Sequence, residues 1–296
     1  MRNRTPAITD GPDTVARMPG WITSARAETP EDVAFLSGAA LAHLHLVAQS
    51  EELPHALWRD RLALRAAELC VGLSGRRETA AQLRDALHLT RPGDDPGPAG
   101  GILRQWSRAV ARPISVAQLG KVLEGVSPEL IALCLEAKGV TPIARAAAVM
   151  EIVLSDAPRA ETTALILADA ALAQATGSEH LVPLLSLAMK PRDLARRGED
   201  LRLACHRAVV AGVGEAIRLA ADLAKQARRF RTVTPRLRAR GADQAVDLFL
   251  SRDALAPATL NSLMSDRAAR RLCDRLVELG VVRELTGRDS FRLFGL

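Results

Sequence analysis

The sequence predicts a mainly α-helical protein that ends in a short β-hairpin, and three features of its composition carry this prediction. Hydrophobic residues make up 48% of the 296 residues, and most of them are alanine, leucine and valine. Aromatic residues amount to only 3%, and tyrosine is absent. Alanine and leucine are strong helix formers, and the β-branched alternation typical of strands is scarce outside the C-terminus. The expected fold class is therefore all-α, as a multi-helix bundle or orthogonal helical array.

The first 28 residues are expected to form a disordered tail, because they carry three prolines and show no hydrophobic periodicity. Helix starts follow at Thr29-Pro30, Ser127-Pro128 and Thr141-Pro142, where a capping hydroxyl precedes a proline at the first helical position. Short connections between apolar helices indicate one helical domain over residues 29–241. Its predicted helices span residues 30–50, 54–73, 78–89, 99–111, 115–124, 128–138, 142–155, 159–175, 179–189 and 199–230.

The strongest internal break is the segment Thr90–Gly101, which contains three prolines and four glycines. It precedes a predicted helix whose N-terminus could receive a phosphate group. However, the segment lacks the Gly-Lys-Ser/Thr ending of a phosphate-binding loop, and Asp94 and Asp95 would repel an anion. Two adjacent carboxylates are also too few to hold a divalent cation. We therefore predict a rigid turn between two helices, with no metal or cofactor.

Residues 242–296 are predicted to form a small module of their own. Ser265 and Asp266 offer an N-cap to a basic amphipathic helix, and Gly280 ends that helix. Two β-prone runs follow, Val281–Leu285 and Ser290–Phe294. A basic helix followed by a small hairpin is typical of a winged helix, a module that docks on nucleic acid. The helices expected in this winged-helix-like module span residues 242–251, 256–263 and 266–279.

The formal net charge of +6 is concentrated near the C-terminus. Residues 225–296 contain 15 basic and 8 acidic side chains, whereas residues 1–224 contain 25 and 26. This surplus favours a polyanionic partner for the C-terminal region, such as duplex DNA. Because 36 of the 40 basic residues are arginines, a GC-rich genome accounts for the excess equally well.

The candidate nucleic-acid contacts are arginines in two segments of the chain. One segment is Lys225–Gly241, which holds no acidic residue, and the other is the terminal helix with its hairpin. Arginine suits such contacts because its planar guanidinium can bind phosphate or guanine through two hydrogen bonds. The predicted contact residues are Arg228, Arg229, Arg231, Arg236, Arg238, Arg240, Arg267, Arg270, Arg271, Arg275, Arg288 and Arg292.

This basic region also fits roles that involve no nucleic acid. A run of arginines is often only the solvated end of a helix, and winged helices also serve as protein-interaction or dimerisation modules. Asp274 and Glu278 lie on the polar face of the terminal helix and weaken the case for DNA. The leading interpretation is a DNA-associated regulatory protein whose helical domain supplies dimerisation or effector sensing. The main alternative is a helical scaffold for protein partners that does not bind nucleic acid.

The sequence contains no recognised catalytic or metal-binding motif, so we do not expect an enzyme. His43 and His45 lie about 200° apart on a helix and cannot bind one metal ion together. Glu199, Arg202 and His206 can share a helix face, which would allow acid–base chemistry. An ion-pairing surface is the ordinary interpretation of this pattern.

Cysteine usage and hydropathy bear on location. The four cysteines are far apart, and each lies in an apolar helical context, which indicates buried free thiols in a reducing cytoplasm. The stretch Val33–Ser50 has no formal charge over 18 residues, the shortest length that suggests a membrane span. Its histidines, glutamine, serines and many alanines favour a buried core helix instead, so we expect no membrane partner.

The runs His88–Gly101, Arg196–Val209 and Leu263–Leu296 resemble a family of uncharacterised bacterial proteins, domain of unknown function 1403. The resemblance covers nearly everything after the N-terminal tail, and it implies no activity because the family has none assigned. Separately, Leu279–Phe294 is similar to the wing of the C-terminal winged helices in Fic-type bacterial proteins. The chain has no loop like the Fic catalytic motif HxFx(D/E)GNGR, so adenylylation is not implied.

Overall fold

The computed structural model describes residues 15–24, 28–91, 93–237, 241–288 and 290–296. These residues are mostly helical, and two short strands form an antiparallel hairpin, which confirms the predicted all-α class with a small hairpin. The α-helices are α1 (Gly20–Ser24), α2 (Pro30–Val47), α3 (His55–Leu73), α4 (Ala80–His88), α5 (Gly97–Ala111), α6 (Val116–Gly120), α7 (Pro128–Leu135), α8 (Pro142–Asp156), α9 (Glu161–Ala175), α10 (Pro191–Leu194), α11 (Gly198–Val233), α12 (Ala242–Phe249) and α13 (Asp266–Glu278). The strands are β1 (Arg283–Glu284) and β2 (Phe294–Gly295), and 3-10 helices span Leu185–Leu187, Thr234–Arg236 and Pro257–Ser262.

Three helices begin at the capping signals that the sequence shows. The Thr29 hydroxyl accepts a hydrogen bond from the Asp32 N–H, and the Asp32 carboxylate accepts one from the Thr29 N–H at 2.9 Å. Ser127 and Thr141 cap α7 and α8, each accepting at 3.1 Å from the N–H three residues further on. These contacts satisfy backbone donors that the first helical turn leaves free, so local sequence alone predicts the helix starts.

The 36-residue helix α11 is the central element of the helical region. It packs against α2, α3 and α8, and its inner face is buried from Leu201 to Val233. The indole N–H of Trp58 on α3 donates to the Ala216 carbonyl of α11 at 2.9 Å. Trp58 is itself buried, so this hydrogen bond satisfies a polar group that would otherwise destabilise the core.

Residues 179–189 do not form the predicted α-helix. Within this segment only Leu185–Leu187 are helical, and they form a 3-10 helix. Pro183 disfavours helical backbone at the residue before it. In addition, the buried carboxylate of Asp169 on α9 accepts hydrogen bonds from three successive backbone N–H groups of this segment, at 2.9–3.3 Å. The apolar composition of the segment therefore reflects a buried loop that is held by a side chain rather than by helical hydrogen bonds.

Gly212 lets this loop approach α11 closely, because a Cβ atom there would lie 2.2 Å from the Leu184 carbonyl oxygen. We expect Gly212→Ala to lower the free energy of unfolding by about 1–3 kcal/mol, although alanine is the better helix former. Gly214→Ala is the matched control in the same helix, since its Cβ would meet only the flexible ends of Met18 at 3.3 Å and Arg218 at 3.9 Å. Chemical denaturation checks the prediction, and equal stability of the two variants would contradict it.

Part of the predicted disordered tail is packed on the helical region. Val15 and Ile22 are buried, and α1 contacts α2 and α11. The expectation of disorder is therefore wrong for residues 15–24, because two apolar side chains anchor a segment too short to show periodicity. Residues 1–14 and 25–27 lie outside the described part of the chain.

Helix α2 is apolar around most of its circumference, but the described residues cover only one side of it. Leu36 and Leu44 are buried, whereas Phe35 and Leu46 are 66% and 64% exposed. The expectation of a buried core helix thus holds only for the inner side. None of the helices in the described ranges has the length and apolar character needed to cross a membrane.

The C-terminal residues form a helix pair followed by the hairpin. Helix α12 leads to Leu255, whose backbone pairs with Phe294 of β2 as an antiparallel bridge that the sequence did not predict. The 3-10 helix Pro257–Ser262 and α13 follow. The paired strands are two residues long, shorter than the predicted runs, because Val281 and Val282 precede β1 and residues 290–293 lie between the two strands. Gly280 ends α13 with a φ of +66°, as expected, but the Ser265 side chain makes no capping hydrogen bond with the described residues.

A buried group of charged side chains joins the C-terminal residues to the helical region. Asp253, which follows α12, contacts Arg61 of α3 and accepts a hydrogen bond from Arg84 of α4 at 2.9 Å. The Asp253 N–H donates to the Asp60 carboxylate at 2.9 Å. Burial alone would raise the pKa of the Asp253 carboxyl, but the hydrogen bond from Arg84 and the charges of both arginines hold it below its usual value. Buried apolar side chains of both regions belong to one cluster, and the domain boundary expected at residue 241 stays a prediction.

Candidate nucleic-acid interface

Helix α13 presents its basic side to solvent. Its inner side buries Ala269, Leu272, Cys273 and Leu276. At 100° per residue, Arg267 and Arg271 lie near the centre of the opposite side, with Arg270 at its edge. All three arginines are exposed, as the periodicity predicts. The first two turns of α13 therefore carry an accessible positive surface.

Arg267 and Arg271 are also free of ion pairs within the part of the chain that the structure describes. Because they are four residues apart, their side chains are neighbours on the helix surface. Two neighbouring guanidinium groups repel each other, and an anion that binds both relieves the repulsion. The pair is thus suited to contact a phosphate group or the edge of a guanine base.

Three other candidate arginines make exposed ion pairs. Arg270 contacts Asp266 at 3.0 Å, Arg275 contacts Glu278 at 2.9 Å, and Arg231 contacts Glu52 at 3.6 Å. Such exposed pairs contribute only about 0–1 kcal/mol each, so a phosphate group could compete for the arginine. These residues add less outward positive charge than Arg267 and Arg271.

The two hairpin arginines hold the hairpin in place. Arg292 donates to Glu284 and to Asp274 of α13, both at 2.9 Å, and its guanidinium lies 4.8 Å from the centroid of the Phe294 ring. The hydrogen bond to Glu284 raises the pKa of Arg292. Arg288 contacts Asp85 of α4 at 2.6 Å. Sequence alone does not reveal these partners, because Asp85 is 203 residues away from Arg288.

The described part of the basic stretch comes close to α13 and to the residue Leu263 before it at two points. At the C-terminal end of α13, the Arg229 guanidinium lies 3.0 Å from the position that a Cβ on Gly280 would occupy. At the other end, a Cβ on Gly241 would lie 3.2 Å from the Leu263 carbonyl oxygen. The two predicted contact segments are therefore adjacent in space.

The remaining candidates of the basic stretch differ in accessibility. Arg228 is half-buried, whereas Arg229, Arg231 and Arg236 are exposed. The predicted contacts Arg238 and Arg240 lie outside the described residues. The hairpin also exposes Phe291, which was not among the predicted contacts; it is 73% exposed and has a φ of +58°, a value that aromatic residues rarely adopt.

Glu199 and Arg202 lie on the exposed side of α11, whereas His206 points into the protein. Arg202 and Glu199 form an exposed ion pair at 3.4 Å. His206 is buried, and its Nδ1 lies 2.6 Å from the Ser37 hydroxyl of α2. Ser37 is also fully buried, and its hydroxyl donates to the Ala34 carbonyl. Since Ser37 belongs to α2 and His206 to α11, their contact links the two helices. No group of three metal-ligating side chains occurs among the described residues, and all four cysteines are buried, as expected.

Burial lowers the pKa of His206, and the charge of Arg202 lowers it further. The unfolded chain then binds a proton more readily than the folded chain. The stability from His206 is present above its unfolded pKa of about 6.5 and is lost as the pH falls toward the folded value. We expect the free energy of unfolding of the unmodified protein to fall relative to that of His206→Gln between pH 7.5 and pH 5. Urea denaturation across this range measures the difference, and parallel pH profiles would contradict it.

A sequence model of the family described as "Protein of unknown function (DUF1403)" matches residues 6–296. The match covers nearly the whole chain, so the chain belongs to this family. No curated protein matches the chain.

Proposed function

We propose that this member of the DUF1403 family is a DNA-associated regulatory protein whose residues 225–296 contact the DNA. The observation that carries the proposal is the pair Arg267 and Arg271, which are exposed and make no ion pair with any described residue. Most of the affinity of proteins for duplex DNA comes from such cationic side chains, because each phosphate contact releases condensed counterions.

The order of elements in this region supports the proposal. The 3-10 helix Pro257–Ser262 and α13 are joined by a short turn, and α13 would be the recognition helix of a helix-turn-helix arrangement. Recognition helices contact base edges with their N-terminal residues, and Arg267, Arg270 and Arg271 lie in that half of α13. The hairpin follows in the position of a wing, and Leu255 extends it by one bridge.

The ion pairs indicate that the candidate arginines have different roles. Arg267 and Arg271 would make the principal contacts, and Arg270 could join them by releasing Asp266. Arg229 and Arg236 are both exposed, and the Arg229 guanidinium lies near Gly280 at the C-terminal end of α13. Both would reach flanking phosphates. Arg288 and Arg292 would act indirectly by holding the hairpin against α4 and α13.

Fluorescence anisotropy on a random-sequence duplex at low salt tests the proposal. The double variant Arg267→Ala/Arg271→Ala should bind roughly tenfold more weakly or worse, because two phosphate contacts are lost. The charge-matched control is Arg192→Ala/Arg207→Ala, which removes two exposed arginines of the helical region. Circular dichroism should show equal helix content in both variants.

Equal weakening in the two variants would mean that only net charge matters, and the proposed docking surface would be wrong. If the unmodified protein does not bind any duplex at low salt, DNA association itself fails. The scaffold alternative would then account for the exposed arginines through an acidic protein partner.

A further inference from the structure

An apolar face on α1 and α2 lies outside the proposed DNA surface. Trp21, Phe35 and Leu46 are 52%, 66% and 64% exposed. The rings of Trp21 and Phe35 stack with centroids 5.8 Å apart. Large contiguous apolar patches are rare on monomeric proteins and generally mark interaction sites.

The part of this face on α2 has no Asp, Glu, Lys or Arg, and small residues lie between the large side chains of Phe35 and Leu46. Ala34, Gly38 and Ala42 are exposed, and a Cβ added to Gly38 would meet nothing within 4 Å. These three residues recur every four positions, so they line up between Phe35 and Leu46. A helix that is apolar all round is ordinarily covered on every side, whereas α11 covers α2 on one side only.

We propose that this α1–α2 face, made of Trp21, Ala34, Phe35, Gly38, Ala42 and Leu46, is the interface of a homodimer. The charge pattern favours a second copy of this chain as the occupant. A two-fold interface packs the same patch against itself, so a patch with charges of only one sign would repel its own copy. The stretch from Val33 to Ser50 contains no Asp, Glu, Lys or Arg, and it therefore avoids this repulsion.

The distribution of large and small residues is also self-complementary. If two antiparallel α2 helices cross midway between Gly38 and Ala42, Gly38 of each copy lies opposite Ala42 of its partner. Leu46 then lies opposite Ala34, where a large side chain meets a small one, and Phe35 lies opposite the exposed His45. Small residues at the crossing allow the two helices to approach closely, as interdigitated helix packing requires.

The size of the face fits a stable dimer. Aromatic side chains carry about 150–250 Å² each, so the exposed parts of Trp21, Phe35 and Leu46 amount to roughly 350 Å². Helix α2 is about 27 Å long, and its small residues together with α1 enlarge the face further. The total is of the same order as the roughly 800 Å² per partner in a standard interface.

Size-exclusion chromatography with light scattering on the full chain tests the homodimer. We expect a dimer for the unmodified protein and a monomer for Ala42→Glu, which places two like charges at the crossing. Leu133→Glu on α7 is the matched control, because Leu133 is 55% exposed and α7 packs on α6 and α9. This control should remain a dimer, and circular dichroism should show the same helix content in all three proteins.

Tryptophan fluorescence shows directly whether the face is covered. Trp58 and Trp106 are 1% and 0% exposed, so of the three tryptophans only Trp21 is accessible to a quencher such as iodide. We expect quenching of the unmodified protein to increase on dilution and to be high at every concentration in Ala42→Glu.

A monomer at all concentrations would overturn the homodimer, and so would a dimer that persists in Ala42→Glu. Protected Trp21 in a monomer would mean that another part of the chain covers the face, which also overturns the proposal. The test is independent of DNA binding, because the face and α13 share no residue.

Discussion

Replacing Asp253 with alanine is expected to lower the free energy of unfolding by about 3–5 kcal/mol. The side chains of Arg61 and Arg84 are 13% and 15% exposed, and both contact the Asp253 carboxylate. Without it, the two buried guanidinium groups repel each other and keep only the weaker attraction of the Asp60 carboxylate. Removing one partner of a buried ion pair is costly for this reason, even where the intact pair contributes little to stability.

The loss should act mainly on the attachment of the C-terminal residues. Asp253 joins α3 and α4 to the segment after α12, so limited proteolysis of Asp253→Ala should release residues 242–296 faster than in the unmodified protein. Asp253→Asn keeps the size of the side chain. Its free energy of unfolding, measured by chemical denaturation, should lie between those of Asp253→Ala and the unmodified protein. Asp266→Ala, which removes only the exposed pair with Arg270, should cost less than about 1 kcal/mol. If Asp253→Ala lowered the free energy of unfolding as little as Asp266→Ala, Asp253 would not stabilise the attachment of the C-terminal residues.

The second large effect is expected at Asp169, where alanine should lower the free energy of unfolding by about 3–5 kcal/mol. The carboxylate is fully buried and accepts from the N–H groups of Leu184, Leu185 and Ser186 and from the Ser186 hydroxyl at 2.7 Å. Each buried donor left without a partner costs about 1–3 kcal/mol, and partial relaxation of the loop reduces the sum. Chemical denaturation measures the effect.

The Asp169 effect should depend on pH in a defined direction. Burial raises the pKa of Asp169 to about 6, against the opposing effect of its hydrogen bonds. The folded chain therefore binds a proton more readily than the unfolded chain, and stability from this group decreases as the pH rises through about 6. We expect the cost of Asp169→Ala to be roughly 1 kcal/mol larger at pH 5 than at pH 7. An equal or smaller cost at pH 5 would contradict this assignment.

Local sequence predicted the elements whose stability is local. Thr29, Ser127 and Thr141 cap their helices through hydrogen bonds that span three residues. The exposure of Arg267 and Arg271 follows from the helical period of α13. In both cases the physical cause lies within one or two helical turns, which a single sequence displays completely.

The remaining features depend on partners that are distant in sequence. The Asp169 carboxylate holds residues 179–189 as a buried loop instead of the expected helix. No periodicity in the sequence relates this loop to α9, which carries Asp169. Arg288 and Arg292 are indistinguishable from Arg267 in sequence, yet acidic residues of α4, β1 and α13 hold them. An uncharged run such as Val33–Ser50 predicts burial, but it does not show whether the covering surface belongs to the same molecule.

The salt dependence of binding tests our proposal that α13 docks on duplex DNA. Each phosphate contact contributes about −0.9 to the slope of log affinity against log salt. We expect binding of the full-length protein to random duplex to weaken with salt, with a slope that becomes shallower by about 1.8 in Arg267→Ala/Arg271→Ala. Absence of binding at low salt, or the same slope in both proteins, would contradict the claim.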